Sequence, residues 1–346
     1  YPNCKNDMPK IFGGLAVVLL AVFGWWYIGH RSNSGEKKVS LAGDATMTTV
    51  RITTMPVVQG LPFYLAKEKG YFREAGIDAE FVKFETPNQI IDALLQGRVD
   101  ITPPSAATGV VGIADSKNSG KLLIYSMGGG DDVVQNDALL VRADSSLVSF
   151  QDLQGKKVGI VAGSVQWNAI ARDILARHGL LADENITLVE LPLGLQSQAL
   201  AAGQVDALIT VEPIPTVVKA KGIGKEMIDH LTTRFISNPF YSGVGVIRKD
   251  FVGEHPEVAK KVLDVFDRAI AEINDNPDAA RQYLKGYTAL DDDMIKIVPI
   301  SRFRMYNNLD ENDIDATQTF FDIFTTQDIV KEPLYFRKLL YDPSVL

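Results

Sequence analysis

Hydroxyl, amide, aromatic and carboxylate side chains recur where strand-like runs of this sequence give way to helix-like runs. The five loops at these points are residues 56–61, 103–108, 127–132, 163–167 and 211–213, and they carry Gln59, Ser105, Thr108, Asp131, Ser164, Gln166, Trp167 and Glu212. No arginine or lysine lies in these loops. Such a set suits reversible binding of a small polar molecule through hydrogen bonds and ring stacking, and it does not suggest bond-making chemistry.

Residue patterns typical of catalysis or metal binding are missing from the sequence. It contains one cysteine, Cys4, and four histidines with no pair at metal-ligand spacing, His30, His178, His230 and His255. It also lacks a G-x-S-x-G elbow, a Walker lysine loop and a G-x-G-x-x-G run after a strand. We therefore predict a protein that is not an enzyme, with no catalytic residues, no metal site and no cofactor.

The elements that must position these loops alternate along the chain. Strand-like runs cover residues 50–54, 79–84, 99–102, 157–161, 187–191 and 205–210, and helix-like runs cover 61–69, 88–95, 165–178 and 195–202. This alternation predicts parallel α/β sheets. Apolar stripes at helical spacing predict long amphipathic helices over residues 255–273 and 310–324. In open sheets of this kind ligands bind beyond the carboxyl ends of the strands, where helix N-termini offer free N–H groups.

A short internal repeat indicates two lobes. The segments ALLQGRVD (residues 93–100) and ALAAGQVD (residues 199–206) match at five of eight positions and lie 106 residues apart. In both, a glycine at the end of a helix precedes a Val-Asp pair that opens a strand. Extended runs at residues 138–142 and 243–248 predict two crossover strands. We assign residues 46–142 and 240–346 to lobe 1 and residues 143–239 to lobe 2.

The N-terminal part differs from the rest of the chain. Residues 11–29 carry no charge, and 19 residues in a helix would span roughly 28 Å, about one hydrocarbon core. This predicts a transmembrane helix that anchors the chain to the cytoplasmic membrane, although a cleaved secretory signal stays open as an alternative. Residues 1–45 thus form an anchor or signal segment with a flexible tether rich in Ser, Gly and Lys. Either reading places the remainder outside the cytoplasm.

The overall charge excludes one class of partner. The chain has 35 Lys and Arg residues against 43 Asp and Glu residues, a formal net charge of -8. A broad surface for nucleic acid is not expected at this charge.

Five stretches resemble a known family. They are LPFYLAKEKGYFREAGID (61–78), ALLQGRVDI (93–101), FQDLQGKKVGIVAGS (150–164), AAGQVDALITVEP (201–213) and VIRKDFVGEHPEV (246–258). They resemble the solute-binding proteins of ABC importers for sulfonates, nitrate, taurine and thiamine precursors, the NMT1/THI5-like family. The resemblance implies a type II periplasmic-binding-protein fold, in which two α/β lobes joined by two crossover strands close on a ligand by hinge motion. It also implies an ABC transporter permease as partner.

The resemblance also implies which residues face the ligand. Relatives often carry Trp before the acid-Pro pair, where this chain has Val211, so an aromatic wall is either missing or supplied by Trp167 or Tyr241. The full set expected at the ligand is Gln59, Gly60, Ser105, Ala106, Thr108, Asp131, Ser164, Gln166, Trp167, Glu212 and Tyr241.

The ligand itself stays open at this point. Helix N-termini and hydroxyls suit an anionic head, while an acid in the cleft suits an amine, so an amino-sulfonate and a neutral aminopyrimidine both fit. Two other functions remain as alternatives. One is an enzyme of thiamine-pyrimidine biosynthesis, although such relatives carry a Cys-rich motif that this chain lacks. The other is a ligand-sensing module of a membrane signalling complex.

Overall fold

Two β-sheets organise residues 47–344, the part of the chain that this computed structural model describes. The strands are β1 Thr48–Thr54, β2 Ile77–Lys83, β3 Ile101–Ala107, β4 Leu122–Gly130, β5 Asp137–Arg142, β6 Lys157–Val161, β7 Thr187–Leu191, β8 Ala207–Val211, β9 Gly224–Asp229, β10 Phe240–Arg248 and β11 Arg302–Met305. The helices are α1 Leu61–Glu68, α2 Tyr71–Glu74, α3 Pro87–Leu95, α4 Thr108–Lys117, α5 Val165–Ala176, α6 Leu193–Ala201, α7 Ile214–Ala220, α8 Leu231–Phe235, α9 Lys249–Glu254, α10 Pro256–Asp275, α11 Pro277–Ala280, α12 Asp292–Ile297 and α13 Glu311–Thr326.

The two sheets share one strand plan. The six-stranded sheet has the order β11-β4-β10-β3-β1-β2, and the five-stranded sheet has the order β7-β6-β8-β5-β9. In each, three strands run parallel, and a fourth lies antiparallel beside them, β10 in one sheet and β5 in the other. We call the sheet of β1 with its helices the first lobe and the sheet of β6 with its helices the second lobe. The predicted two-lobed α/β architecture is confirmed.

The repeated sequence folds into the same device twice. Gly97 and Gly203 have φ of 67° and 66°, a left-handed backbone that ends α3 and α6. In each repeat the following aspartate accepts a hydrogen bond from a backbone N–H of a neighbouring strand. Asp100 accepts from Arg51 of β1 at 2.9 Å, and Asp206 accepts from Lys157 of β6 at 2.8 Å. In return, the backbone N–H of Asp100 donates to the Arg51 carbonyl at 2.9 Å, and that of Asp206 donates to the Lys157 carbonyl at 2.8 Å.

Apolar helix faces cover the first lobe on both sides. Helix α10 packs against α1, and its buried residues follow the predicted stripe of Val262, Phe266, Ala269 and Ile273. Helix α13 packs with α4 through a cluster of buried phenylalanines that includes Phe320. Helix α5 of the second lobe also contacts α4 and α13. The apolar core is therefore continuous from one lobe into the other.

The expected crossover strands each stay within one sheet. β5 pairs with β8 and β9, and β10 pairs with β3 and β4. The chain passes between lobes in the segments that precede them, residues 131–136 and 230–239, which we call the first and second crossover segments. The expected boundary at residue 142 placed β5 in lobe 1, whereas its ladder partners place it in the second lobe.

Two expected loops are largely strand. Residues 103–107 belong to β3, and residues 127–130 belong to β4. The predicted membrane span, residues 11–29, lies outside the described residues. Among residues 47–344, no helix combines the length and the apolar character needed to cross a membrane.

Candidate functional site

A small cavity lies between the lobes at the carboxyl ends of β1, β3, β6 and β8. Its volume is about 30 Å³, and its lining residues are Met55, Val57, Gln59, Pro87, Ser105, Ala107, Val161, Gln166, Trp167, Leu193, Val211, Ser242 and Gly243. Both lobes contribute to this wall, as binding beyond the strand ends requires. Ligand pockets typically measure about 300–1,000 Å³, so this cleft is closed to any organic solute.

Four residues of the set expected at the ligand line this cavity. They are Gln59, Ser105, Gln166 and Trp167. Of the expected aromatic candidates, Trp167 is therefore the one on the wall, where 4% of it is exposed. The other seven expected residues do not line the cavity: Gly60, Ala106, Thr108, Asp131, Ser164, Glu212 and Tyr241.

The two serines of the cleft have different surroundings. Ser164 is the N-cap of α5, and its Oγ accepts the backbone N–H of Trp167 at 3.3 Å. Ser105 is 5% exposed, and within the described residues its Oγ has no hydrogen-bond partner. A buried hydroxyl without a partner is costly and rare in folded proteins. Ser105 is thus a free donor and acceptor at the cavity.

Gln59 belongs to a buried amide–hydroxyl network beside the crossover segments. Its Nε2 donates to Asn136 Oδ1 at 2.9 Å and to Ser242 Oγ at 3.0 Å. Asn136 Nδ2 donates to Ser242 Oγ at 2.9 Å, and Ser301 Oγ donates to Asn136 Oδ1 at 3.0 Å. Asn136 ends the first crossover segment, and Ser242 follows the second. The network therefore joins both crossover segments to the loop that follows β1 and carries Gln59.

Gln166 spans the cleft. It lies on α5 of the second lobe, and its side chain is fully buried. Its Oε1 accepts the backbone N–H of Gly109, the second residue of α4 in the first lobe, at 2.7 Å. Its Nε2 donates to the Ser242 carbonyl at 2.9 Å.

Asp131 and Tyr241 face a different recess. Arg302 Nε donates to Asp131 Oδ2 at 2.7 Å, and Tyr241 Oη donates to Asp313 Oδ1 at 2.7 Å. Both residues line a polar pocket of about 560 Å³ beside the crossover segments. Thr108 donates its hydroxyl to the Tyr241 carbonyl at 2.7 Å, so it serves the strand and not the cavity.

Glu212 is buried beneath the cleft wall. Its Oε2 accepts the backbone N–H of Thr216 at 3.3 Å near the start of α7, and its Oε1 has no partner within the described residues. Burial raises the pKa of Glu212 to about 7. Asp137, which pairs with Val211 in the β5–β8 ladder, accepts from the N–H and hydroxyl of Thr232, and burial raises its pKa to about 6.

Dipoles, not ionic charges, set the electrostatics of the cavity. Among residues 47–344, no titratable side chain lines it. Helices α4 and α5 begin beside it, and their first-turn N–H groups carry partial positive charge. The described residues also contain no cluster of three or more His, Cys, Asp or Glu side chains that could hold a metal ion. The cavity can therefore donate hydrogen bonds to an acidic group but has no side chain to move a proton.

Sequence reasoning missed Asn136, Ser242 and Ser301. Asn136 precedes an extended run and Ser242 lies in a strand, so neither belongs to a strand-to-helix loop. The nearest available signal for Asn136 and Ser242 was their position beside the predicted crossovers.

Comparison with known proteins supports the same picture. Residues 58–280 match the family model described as NMT1/THI5 like. A putative aliphatic sulfonates-binding protein of Bacillus subtilis (strain 168) is 24% identical over 309 residues, covering 88% of this chain and 87% of that protein. A 4-amino-5-hydroxymethyl-2-methylpyrimidine phosphate synthase of Saccharomyces cerevisiae is 22% identical over 262 residues, covering 72% of this chain and 74% of that protein.

A solved structure shows the fold. The alkanesulfonate-binding protein SsuA of Xanthomonas axonopodis pv. citri, bound to MOPS, superposes with a TM-score of 0.68 at 20% identity, covering 85% of this chain and 98% of that one. The described residues thus adopt the α/β periplasmic-binding-protein fold with two sheets. Since the family model covers well over half of the sequence, the chain belongs to the NMT1/THI5-like family.

Proposed function

We propose that this protein is a solute-binding protein outside the cytoplasm that delivers a small organic acid, of the alkanesulfonate class, to an ABC importer. The observation that carries the proposal is the cavity between the lobes, whose wall combines apolar side chains with a free hydroxyl and two helix N-termini. The sulfonate-binding relatives support the choice of ligand class.

The chemistry of the wall matches a ligand with two ends. Val57, Val161, Leu193 and Trp167 offer an apolar surface for a hydrocarbon body. Ser105 and the α4 N-terminus offer donors for an acidic head. A sulfonate stays ionised at any physiological pH, so such a head needs donors and no proton-accepting partner.

Delivery requires the cleft to open. A cavity of about 30 Å³ holds water-sized molecules only, so the ligand enters when the lobes separate about the crossover segments. The proposed membrane anchor at residues 11–29 would keep the protein near a permease.

A thermal-shift screen of the full-length chain tests this function. The panel contains methane-, butane- and hexanesulfonate, taurine, nitrate and an aminopyrimidine. A ligand at 100 times its Kd stabilises a protein by about 2.7 kcal/mol, which gives a readable shift in Tm. Stabilisation by the alkanesulfonates is expected. Stabilisation by the aminopyrimidine alone would overturn the sulfonate assignment.

The synthase relatives keep an enzyme as the second candidate. The lack of a titratable lining residue within the described part of the chain favours binding over catalysis. Chemical conversion of a bound aminopyrimidine, followed by mass spectrometry, would reverse that preference. Co-purification with a kinase instead of a permease would favour the sensory alternative.

A further inference from the structure

Gln166 binds a donor at the N-terminus of α4, where the proposed function places the acidic head of the ligand. Its Oε1 accepts the N–H of Gly109 at 2.7 Å, in the first turn of the ten-residue helix α4. First-turn N–H groups have no partner inside their helix and attract negative charge. The amide oxygen of Gln166 carries partial negative charge and satisfies this donor.

A second observation is a hydroxyl without a partner in the cavity wall. Ser105, three residues before α4, is 5% exposed and lines the cavity together with Gln166. Its Oγ has no partner within the described residues. Gln166 thus satisfies the helix but not the hydroxyl, which is left as a donor to an acidic head in the cavity.

We propose that Gln166 is an internal competitor of the ligand: it holds the cleft closed by bonding the α4 N-terminus in place of the acidic head. Ligand entry displaces its amide from Gly109 and from the Ser242 carbonyl. This inference rests on the proposed function, because it assumes an acidic ligand in this cleft. It changes the expected role of Gln166 from a ligand contact to a closing contact that leaves when the ligand binds.

The consequence is a lowered apparent affinity. When only a fraction of the molecules is in the binding-competent state, the apparent Kd equals the intrinsic Kd divided by that fraction. Two neutral hydrogen bonds must be given up when Gln166 leaves. Their loss corresponds to an effect of about 30-fold on Kd when each contributes a typical net amount.

The test compares Gln166→Met with a matched control in the full-length chain. Methionine keeps the length and bulk of glutamine but can neither accept from Gly109 nor donate to Ser242. The control is Gln327→Met, because Gln327 Nε2 also donates to a carbonyl of the other lobe, that of Ala169 at 2.9 Å, and it does not line the cavity. Hydrogen–deuterium exchange of the segment containing Gly109 and calorimetric titration with butanesulfonate are measured on all three proteins.

The expected result has two parts. Without ligand, Gly109 exchanges faster in Gln166→Met than in the wild type or in Gln327→Met, and butanesulfonate restores its protection. The Kd for butanesulfonate falls about 30-fold in Gln166→Met only.

Other outcomes separate this inference from the proposed function. Weaker binding in Gln166→Met, or unchanged exchange at Gly109, would overturn the competitor. If butanesulfonate binds to none of the proteins while Gly109 exchange still accelerates in Gln166→Met, the closing contact is supported and the sulfonate assignment is wrong.

Discussion

Ser105 lies near the carboxyl end of β3 and Ser164 follows β6, yet their hydroxyls have different roles in the structure. Ser164 caps α5, whereas Ser105 has no partner within the described residues. Ser164→Ala is expected to lower the free energy of unfolding by about 1 kcal/mol, as the loss of an N-cap does. Ser105→Ala should leave it unchanged or slightly higher, since no hydrogen bond is lost.

The two serine substitutions should have the reverse effects on ligand affinity, with Ser105 the residue that matters. Ser105→Ala is expected to raise the Kd for butanesulfonate about tenfold, because a donor to the acidic head is lost. Urea unfolding and calorimetric titration of both variants check the pair. Equal losses of affinity in the two variants would contradict the assignment of Ser105.

Glu212 predicts how stability depends on pH. Burial raises its folded-state pKa to about 7, above the value of about 4.5 in the unfolded chain. Between these values the folded state binds more protons, so the contribution of Glu212 to stability falls as pH rises from about 4.5 to 7. At pH 8 the buried charge carries its full cost, and at pH 4 that cost is absent.

Glu212→Gln should remove this dependence, because glutamine stays neutral and its Oε1 can still accept from Thr216. The variant is expected to be more stable than the wild type by about 2–3 kcal/mol at pH 8, with a much smaller difference at pH 4.5. Urea titrations at the two pH values measure both. A stability difference of the same size at both would refute the assigned pKa.

Residue identity was predictable where chain order reveals position. Gln59, Gln166 and Trp167 follow strands closely and Ser105 lies near the carboxyl end of one, so the alternation of elements was enough to place them at the cleft. The partner of Gln59 was not predictable in the same way. Ser242 lies 183 residues away in sequence, and only the strand order of the first sheet brings the two together.

At the scale of elements, the two repeats use one aspartate each with unequal numbers of partners. Asp206 accepts the backbone N–H of Lys157 at 2.8 Å. Asp100 accepts the equivalent N–H of Arg51 at 2.9 Å and also binds the guanidinium groups of Arg51 and Arg248. Asp100 is 4% exposed, so its removal leaves cationic partners without their counter-charge.

We therefore expect the equivalent substitutions to differ in cost. Asp206→Ala should lower the free energy of unfolding by about 1 kcal/mol, and Asp100→Ala by about 3 kcal/mol or more. Chemical denaturation with a common m-value checks the comparison. An equal loss in both variants would show that the arginine contacts of Asp100 contribute nothing.

Proline and glycine explain why two strands were expected as loops. Pro103 and Pro104 were expected in a loop, but they lie in β3 opposite the irregularity in β10 between Val244 and Val246. The ladder needs no backbone donor there, so proline is tolerated. Gly129 was also expected in a loop, but it lies in β4. A Cβ there would overlap the backbone at Phe240, so the strand needs glycine for close approach of β10. Both features depend on a neighbour distant in sequence.

At the scale of the whole molecule, the cleft edge offers a direct control of closure. Thr86 of the first lobe faces Gly163 of the second, and a Cβ at Gly163 would lie 3.0 Å from the Thr86 Cβ. Disulfides need about 3.5–4.5 Å between Cβ atoms, so Thr86→Cys and Gly163→Cys can pair after a small separation of the two positions. Gly163→Cys also puts a side chain on a left-handed backbone of φ 62°, which the oxidised pair must hold under strain. Cys4→Ser in the same chain removes the single native thiol.

The oxidised double-cysteine protein is expected to bind no butanesulfonate, because the ligand cannot enter a cleft locked at about 30 Å³. Reduction should restore the affinity of the Cys4→Ser parent. Calorimetric titration before and after reduction measures both states. Undiminished binding in the oxidised protein would show that the ligand uses another route or another site.

The position of Trp167 gives the cleft an optical reporter. Of the three tryptophans, Trp25 and Trp26 belong to the predicted anchor, and Trp167 alone lies within residues 47–344. Replacing Trp25 and Trp26 by phenylalanine would confine indole fluorescence to the cavity wall. The emission maximum of that single ring would then follow the arrival of a solute, and the opening of the lobes before it, in real time and without an added label.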